Sequence, residues 1–403
     1  MNVSIFEPAN KLQYFFCKMI QTFQNIFSEL TLFDLVLLAI FIVLFFLRLI
    51  YLFLFTGRVL FKKRLNFDQS KHSPFSLILT LRNQEDNLKN NLPNILSNEA
   101  VDFEVVVVDD YSQDNSFLVL GLLNKKYKRL KISMLNQETR FSTKLAQNIA
   151  LKAAKYDWVL TTPVEMYKVN PEWLSIISKV LTHEKSVVVA YSNVENSRGF
   201  FNHLFRIENC FQYQRSIGFI LNGISYVYSE ENVAFQKSNY FEMDGYRQKI
   251  TEPFANLELL INSFIRKKTT TILFNKETSI RKKEPINHAD YFELLKKSIR
   301  IEKHLSYPKR IVLASEETVR LLILPFAIVV IVLYTELWPV VAGLLGTKFL
   351  IHLVIIKILQ NRLNERKIFI SSLVYDLIMP YFKLFYRWHF NRRSRKNRWR
   401  NKS

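Results

Sequence analysis

The chain has 403 residues, of which 49% are hydrophobic and 23% are charged, and its formal net charge at pH 7 is +21. Long apolar stretches must therefore coexist with an ordinarily charged region, which excludes a uniformly apolar transporter. The two cysteines, Cys17 and Cys210, are too few to support a disulfide framework or a thiolate metal site.

The N-terminal part is predicted to associate with a membrane. In residues 1–30, apolar side chains recur every three or four positions, which predicts an amphipathic helix that lies on the membrane surface or packs against the C-terminal helices. Residues 31–57 contain the apolar run Leu35–Phe55, in which Arg48 is the single charged residue. This run is long enough to cross a hydrocarbon core of about 30 Å. A basic linker, 58–73, follows without a small-residue cleavage site, so a transmembrane helix is favoured over a cleaved signal peptide.

A second apolar block covers residues 318–359 and is interrupted at Thr335-Glu336 and at Pro339. Its length and its interruption predict a transmembrane helical hairpin with a tight turn. The following stretch, 368–388, is apolar but contains polar residues such as Asp376. Because a full crossing would carry the basic C-terminus to the outside, we expect this stretch to be re-entrant or interfacial.

Basic residues flank the apolar segments. Four of them follow the first apolar run, and seven lie in the basic tail, 389–403. This distribution matches anionic lipid headgroups and the positive-inside rule better than it matches nucleic acid, which we do not expect as a partner. The sequence therefore predicts a multi-pass protein of the inner (plasma) membrane whose soluble domain is cytoplasmic.

Residues 74–310 are predicted to form one soluble α/β domain. Apolar runs alternate with amphipathic helical patterns, which predicts a mostly parallel sheet with flanking helices. One run is continuously β-branched and ends in Asp109-Asp110, at the strand end where open α/β sheets bind ligands. Capping of the next helix is the alternative role for one of these carboxylates. The predicted strands are 75–81, 103–108, 130–135, 158–162 and 186–193.

Several segments of this domain resemble the family 2 glycosyltransferases with a GT-A fold, and the flanking helices resemble the membrane-bound bacterial members. The resembling segments are Leu79-Thr80-Leu81-Arg82-Asn83-Gln84-Glu85, Val107-Val108-Asp109-Asp110-Tyr111-Ser112, Lys144 with Asn148, Tyr156 to Thr162, Asn232 to Ser238, and Gly245-Tyr246. The resemblance implies inverting transfer of a hexose from a UDP- or GDP-sugar to a cell-surface or lipid-linked glycan. It also implies a divalent cation, Mg²⁺ or Mn²⁺.

The nucleotide-binding candidates follow from the resemblance. Thr80, Arg82 and Asp110 fall where the family holds the uracil and the ribose, and a carboxylate such as Asp110 can accept the imide N–H of uracil. Asp109 lies beside them and is a further candidate. Lys144 is added because a lysine can neutralise the charge of a diphosphate.

The metal-binding motif departs from the family pattern. The family's Asp-x-Asp motif follows its fourth strand, and the corresponding residues are Pro163-Val164-Glu165. Hard cations need oxygen ligands, and only Glu165 offers a side-chain carboxylate. We therefore expect cation binding to be weak or absent.

Two further motifs also depart from the pattern. The catalytic base is expected in an acidic cluster at a helix start, which leaves Glu258, or Glu252 if the register shifts. An exposed helical glutamate without a catalytic role is the alternative for either residue. The Gln-x-x-Arg-Trp motif is reduced to Arg300 on the acceptor side. Two hypotheses therefore stand: a divergent glycosyltransferase, or a catalytically inactive relative that serves as a scaffold for a protein partner.

Overall fold

The computed structural model describes residues 31–61, 72–138, 141–247 and 249–400, without the side chains of residue 142 and of residues 390–400. The predicted helix in residues 1–30 and most of the basic linker lie outside the described residues. The chain divides into two compact units, one of residues up to 52 with 314–352, the other of residues 53–313 with 353–403.

The first unit is a helical cluster. Helix α1, Leu32–Tyr51, starts at Thr31, whose side chain forms a capping box with Asp34. Apolar residues from α1 and from the two long C-terminal helices form its core: Leu37, Phe41, Ala327, Val330, Leu337 and Val341. Arg48, the charged residue of the first apolar run, lies 3.6 Å from the carboxylate of Glu316. This ion pair explains how the run accommodates an arginine.

Two helical segments of the described chain are long and apolar enough to cross a membrane, Leu32–Phe61 and Thr335–Arg362. The predicted break in the second apolar block coincides with a 3₁₀ turn, Thr335–Leu337, between the two long helices. Membrane crossing itself stays a prediction.

The second unit contains a seven-stranded sheet of order β3-β2-β1-β4-β8-β6-β9 and a three-stranded sheet of order β5-β10-β7. In the large sheet only β8 runs antiparallel to its neighbours, which confirms the predicted mostly parallel α/β sheet. The strands are β1 Phe75–Leu81, β2 Phe103–Asp109, β3 Leu130–Met134, β4 Trp158–Thr161, β5 Met166–Tyr167, β6 Val187–Val189, β7 Ser192–Val194, β8 Val233–Gln236, β9 Thr270–Ile272 and β10 Ile280–Lys282.

The prediction of one strand over residues 186–193 is wrong. Val187–Val189 pairs within the large sheet, whereas Ser192–Val194 pairs in parallel with Ile280–Lys282 in the small sheet. The chain changes sheets at the buried residues Ala190 and Tyr191. A continuous apolar run therefore does not distinguish one strand from two that meet different partners.

Helices cover both faces of the large sheet. In chain order, the helices after α1 are α2 Arg58–Phe61, α3 Glu85–Leu96, α4 Ser116–Lys126, α5 Ser142–Ala153, α6 Trp173–Val180, α7 Phe200–Leu221, α8 Lys237–Glu242, α9 Glu258–Phe264, α10 His288–Lys303, α11 Tyr307–Leu333, α12 Trp338–Arg362 and α13 Phe369–Arg400. Alternate residues of β2 belong to different cores, Val106 and Val108 on one face and Val105 and Val107 on the other. This confirms that the β-branched run is an interior strand.

Helix α7 supports several other parts of this unit. Its Gly218 lies so close to the carbonyl oxygen of Phe55 that a β-carbon has no room. Its buried Glu208 accepts hydrogen bonds from the Tyr375 hydroxyl, at 2.8 Å, and from the Lys383 ammonium, at 2.6 Å. The stretch predicted to be re-entrant or interfacial thus lies in a continuous helix, α13, whose Tyr375 and Lys383 contact α7.

The loop between α12 and α13 is fastened to the small sheet by one buried carboxylate. Glu365 accepts hydrogen bonds from the Tyr191 hydroxyl, at 2.7 Å, and from the Asn193 amide, at 2.8 Å. It also pairs with Arg206, at 2.7 Å, and with Arg281 of β10. Since its side chain is fully buried, these partners compensate a charge that water does not reach.

Candidate active site

The carboxyl ends of β1, β2 and β4 form one edge of the large sheet, and the start of β8 lies at the same edge because β8 runs antiparallel to β4. Residues at this edge form a cleft with two parts. The loops after β1 and β2, residues 82–84 and 110–115, are called the nucleotide end. The transfer end consists of the charged residues around β8 and β10: Glu230, Glu231, Glu258, Lys282 and Lys297.

The structure brings the predicted nucleotide-binding residues together at the nucleotide end. The carboxylate of Asp109 accepts hydrogen bonds from the backbone amide of Ser112, at 3.0 Å, and from its hydroxyl, at 2.5 Å. Asp109 therefore holds the turn and does not cap the next helix, whose N-cap residue is Asn115. The buried Asp110 accepts a hydrogen bond from the Thr143 hydroxyl at 3.3 Å. Tyr111, between Asp110 and Ser112, has φ +57°, so the turn contains a left-handed residue that is not a glycine.

The two loops of the nucleotide end are hydrogen-bonded to each other. The amide of Asn83 donates to the Ser112 hydroxyl at 2.9 Å, and the Asn83 side chain accepts from the amide of Gln113 at 2.8 Å. Arg82 pairs with Glu138 at 2.8 Å on the surface. This hydrogen bond raises the pKa of Arg82, and the nearby charge of Asp110 adds to the effect. Thr80, at the end of β1, is partly buried.

Lys144 has a different environment from the one that a phosphate-binding role requires. Its buried ammonium donates to the carbonyl oxygens of Lys249, Ile250 and Glu252, at 2.8, 3.2 and 2.6 Å. Burial lowers the pKa of this group. Three carbonyl acceptors occupy the three ammonium hydrogens, so Lys144 fastens residues 249–252 above α5. Its predicted contact with a diphosphate would require these bonds to be exchanged.

The residues in the Asp-x-Asp position do not fit a divalent cation. Val164 is buried in the core, and Glu165 accepts a hydrogen bond from the Gln84 amide at 2.9 Å. Burial raises the pKa of Glu165. Within the described ranges, no group of three or more His, Cys, Asp or Glu side chains is placed to hold a metal ion. Such a set is what a hard cation needs.

A lysine lies next to this position instead. In the small sheet Lys282 of β10 is paired with Met166, the residue that follows Glu165. Its ammonium lies 2.8 Å from the carboxylate of Glu231 and 3.0 Å from that of Glu284. It is also close enough to Glu165 to oppose the rise in the pKa of that carboxyl.

The predicted base, Glu258, is not the exposed helical glutamate of the alternative reading. Its side chain is fully buried at the start of α9, where it accepts from the amide of Asn256 at 3.0 Å and pairs with Lys297 at 3.2 Å. Glu230 interacts with it from the start of β8. Burial, together with the negative charge of Glu258, raises the pKa of Glu230 to about 8. Two adjacent carboxyl groups that share a proton are a frequent arrangement in acid–base catalysis.

The other two residues singled out in the sequence are Glu252, the alternative base, and Arg300, on the acceptor side. Glu252 pairs with His304 at 3.1 Å and remains partly exposed. Arg300 lies on α10, one turn after Lys297, and is partly buried. A cavity of about 230 Å³ lies at the transfer end. Its lining includes Asn209, Tyr228, Glu231, Lys282 and Lys297.

Sequence reasoning missed Glu230, Glu231, Lys282 and a role for Lys297. The sequence carries a signal for Glu230 and Glu231, because this acidic pair stands one residue before the apolar run of β8. It resembles the strand-end pair Asp109-Asp110. No local signal marks Lys282, since its position depends on the pairing of β10 with β5.

Residues 76–241 match the sequence model of the family described as glycosyl transferase family 2. This family 2 match starts in β1 and ends in α8, so it includes the nucleotide end, Glu230 and Glu231. Glu258, Lys282 and Lys297 lie beyond it. The comparison with curated proteins gave no match.

One solved glycosyltransferase structure shows the same fold. The mannosyltransferase PcManGT from Pyrobaculum calidifontis, described in complex with GDP-Man and Mn²⁺, superposes with a TM-score of 0.52 at 18% identity, covering 85% of this chain and 99% of its own. A TarS fragment from S. aureus in complex with UDP gives 0.41 at 17% identity, covering 78% and 92%. Mannosyl-3-phosphoglycerate synthase from Rubrobacter xylanophilus gives 0.40 at 14% identity, covering 59% and 76%. The last two likenesses are too weak to compare sites.

Proposed function

We propose that the chain is a membrane-anchored glycosyltransferase that transfers a sugar from a UDP- or GDP-sugar to a cell-surface or lipid-linked glycan. The observation that carries the proposal is the cleft at the carboxyl ends of β1, β2 and β4, because the family 2 match spans these strands. Asp110 and Arg82 lie there beside each other, as a site for a base and a ribose requires. The nucleotide sugar bound to PcManGT supports this class of donor.

The Glu230–Glu258 pair supplies the base in this proposal. Glu230 is the partly exposed member, and its raised pKa suits proton transfer near neutral pH. Glu230 takes the proton of the acceptor hydroxyl while the hydroxyl oxygen bonds to the anomeric carbon. The bond from that carbon to the diphosphate breaks, and the nucleoside diphosphate leaves with the electron pair. Attack from the side opposite the leaving group inverts the anomeric centre.

Anchoring in the membrane is supported by several surfaces. Two helices are long and apolar enough to cross it. The face of α13 that is turned away from α7 exposes apolar side chains along its length: Ile370, Val374, Leu377, Ile378, Leu384, Phe385 and Trp388. Seven basic residues follow in the last thirteen positions and match anionic headgroups. We place the second unit on the cytoplasmic side of the inner membrane, where α13 lies in the interface.

The misfit of the cation position favours a second candidate function, a catalytically inactive scaffold for a protein partner. Such a protein would still fold as a glycosyltransferase but would not turn over a donor sugar. The two functions are distinguished by turnover, because a scaffold releases no nucleoside diphosphate from any donor.

The experiment is release of nucleoside diphosphate by the full chain in detergent, with a set of UDP- and GDP-sugars, with EDTA or with Mn²⁺. Asp110→Asn tests the cleft, and Asp102→Asn is the matched control, because Asp102 lies just before β2 while Asp110 lies just after it. We expect turnover of at least one donor, its loss in Asp110→Asn and its retention in Asp102→Asn. Absence of turnover with every donor would contradict the proposed glycosyltransferase activity and favour the scaffold function.

A further inference from the structure

The cation position of the cleft is occupied by a side chain. In a family 2 enzyme, carboxylates after the fourth strand hold a divalent cation that neutralises the diphosphate. In this chain that segment contributes one carboxylate, Glu165, and the ammonium of Lys282 lies among Glu165, Glu231 and Glu284. An ammonium group therefore lies where the resemblance leads one to expect a metal ion.

The structure holds this ammonium firmly in place. Backbone pairing of β10 with β5 sets Lys282 opposite Met166, and the amide of Lys283 donates to the carbonyl oxygen of Glu165 at 3.1 Å. Glu231, which pairs with Lys282, also accepts a hydrogen bond from the Ser192 hydroxyl at 2.8 Å. The lysine side chain is 12% exposed, so it borders the cleft without being free in solvent.

The nucleotide end is connected directly to this position. Gln84, in the loop after β1, donates from its side-chain amide to Glu165 at 2.9 Å. Glu165, and Lys282 near it, therefore lie next to the loop after β1. Lys282 pairs with two carboxylates, which leaves one ammonium hydrogen for a further acceptor, whereas Lys144 donates to three carbonyl oxygens.

We propose that the ammonium of Lys282 takes the place of the divalent cation, so that the chain binds nucleoside diphosphates without a metal ion. This inference rests on the proposed function. Glu231 and Glu284 accept two of the ammonium hydrogens, and a phosphate oxygen accepts the third in the complex.

The contrast between nucleoside diphosphates and monophosphates isolates this interaction. The nucleoside part binds at the nucleotide end in both cases, whereas the second phosphate reaches Lys282. Lys282→Met removes the charge, and Lys282→Arg keeps it. Lys283→Met is the matched control, since the same change is made one residue farther along, where the lysine packs on the Tyr167 ring.

The experiment is calorimetric titration of the full chain in detergent with UDP, GDP, UMP and GMP, in EDTA or in Mn²⁺. We expect the affinity for the diphosphate to differ by less than about twofold between EDTA and Mn²⁺. Lys282→Met is expected to lower that affinity by about tenfold to a hundredfold, which corresponds to one charge-assisted hydrogen bond. The affinity of Lys282→Met for the monophosphate is expected to differ from that of the native chain by less than about threefold. The same limit is expected for the diphosphate affinities of Lys282→Arg and Lys283→Met.

Diphosphate binding that requires Mn²⁺ would overturn this inference and leave the proposed function intact. Equal diphosphate affinities of Lys282→Met and Lys283→Met, with both proteins folded as judged by thermal unfolding, would also overturn it. Absence of binding of all four nucleotides in both solutions would overturn the proposed function and this inference together.

Discussion

The two ends of the cleft are built in different ways. At the nucleotide end the supporting contacts are short in sequence, such as Asp109 with Ser112, or join the loops after adjacent strands, such as Asn83 with Ser112. At the transfer end the ion pairs of Lys282 with Glu231 and of Lys297 with Glu258 join distant elements. The first end follows from local turns, whereas the second requires the complete second unit to be folded.

This difference implies that the two ends can be separated by mutation. The transfer end depends on β10, which is held in turn by the loop between α12 and α13 through Glu365. Changes at remote supports should therefore damage sugar transfer before they damage nucleotide binding.

The largest effect is expected for Glu365→Gln. It removes the negative charge between Arg206 and Arg281 and leaves two buried guanidinium groups without compensation. We expect the free energy of unfolding to fall by about 3–5 kcal/mol, measured by thermal or denaturant unfolding. Lys89→Gln, in an exposed ion pair on α3, is the control and should leave the melting temperature unchanged.

The same variant tests the separation of the two ends. At a temperature where Glu365→Gln is still folded, we expect donor turnover to fall more than binding of UMP or GMP. A parallel loss of both activities would show that the two ends are one cooperative structure.

Gly218→Ala should have the next largest effect. A β-carbon at this position meets the backbone carbonyl of Phe55, and α7 cannot accommodate it without moving. Overpacking of this kind costs about 1–3 kcal/mol, which thermal unfolding would detect. Gly121→Ala, in helix α4 with open space around the new methyl group, should instead stabilise by about 0.5–1 kcal/mol. Equal effects of the two substitutions would show that residue 55 does not pack on α7.

The nucleotide end was accessible to sequence reasoning because its elements are local. The interior strand that ends in Asp109-Asp110 was predicted from a β-branched run, and four of the five predicted strands lie where the structure has them. The alternative role, capping of the next helix by one of these carboxylates, is not what the structure shows: that helix starts at Ser116 without a side-chain cap, and Asp109 binds Ser112 in the turn before it.

The transfer end was not accessible in the same way. The burial of Glu258 depends on Glu230 and Lys297, which come from β8 and α10. The role of Lys282 depends on antiparallel pairing between short strands that are far apart in the chain. Secondary-structure propensity and hydrophobic periodicity do not report such pairings. The departure from the Asp-x-Asp motif was therefore visible in the sequence, but the position of Lys282 beside it was not.

Lys144 lies where the two ends meet, and its substitution should have a smaller, local effect. Lys144→Met removes three hydrogen bonds to residues 249–252. We expect faster hydrogen exchange in the neighbouring amides 251–257 in the absence of nucleotide, with little change at 110–116. Unchanged exchange in the first segment, together with weaker diphosphate binding, would favour the phosphate-binding role that the resemblance implies.

A pH dependence of stability should accompany the Glu230–Glu258 pair. Because the pKa of Glu230 is raised from its ordinary value of 4.5 to about 8, the folded protein binds more protons than the unfolded chain between these values. The stabilising contribution of the protonated Glu230 is therefore complete below about pH 4.5 and is lost as the pH rises through about 8. Unfolding midpoints of the native chain and of Glu230→Gln should show this difference, and parallel pH curves would contradict it.

The measurement that tests the proposed sugar transfer most directly is the pH dependence of donor turnover in the native chain and in Glu230→Gln, with Glu99→Gln as an exposed control. A base with this raised pKa predicts a rate that rises about tenfold per pH unit and levels off near the pKa of about 8. Glu230→Gln should abolish the rise and lower the rate by about 10²–10⁴-fold. A Glu230→Gln variant that keeps the native rate and pH profile would contradict the assignment of the base.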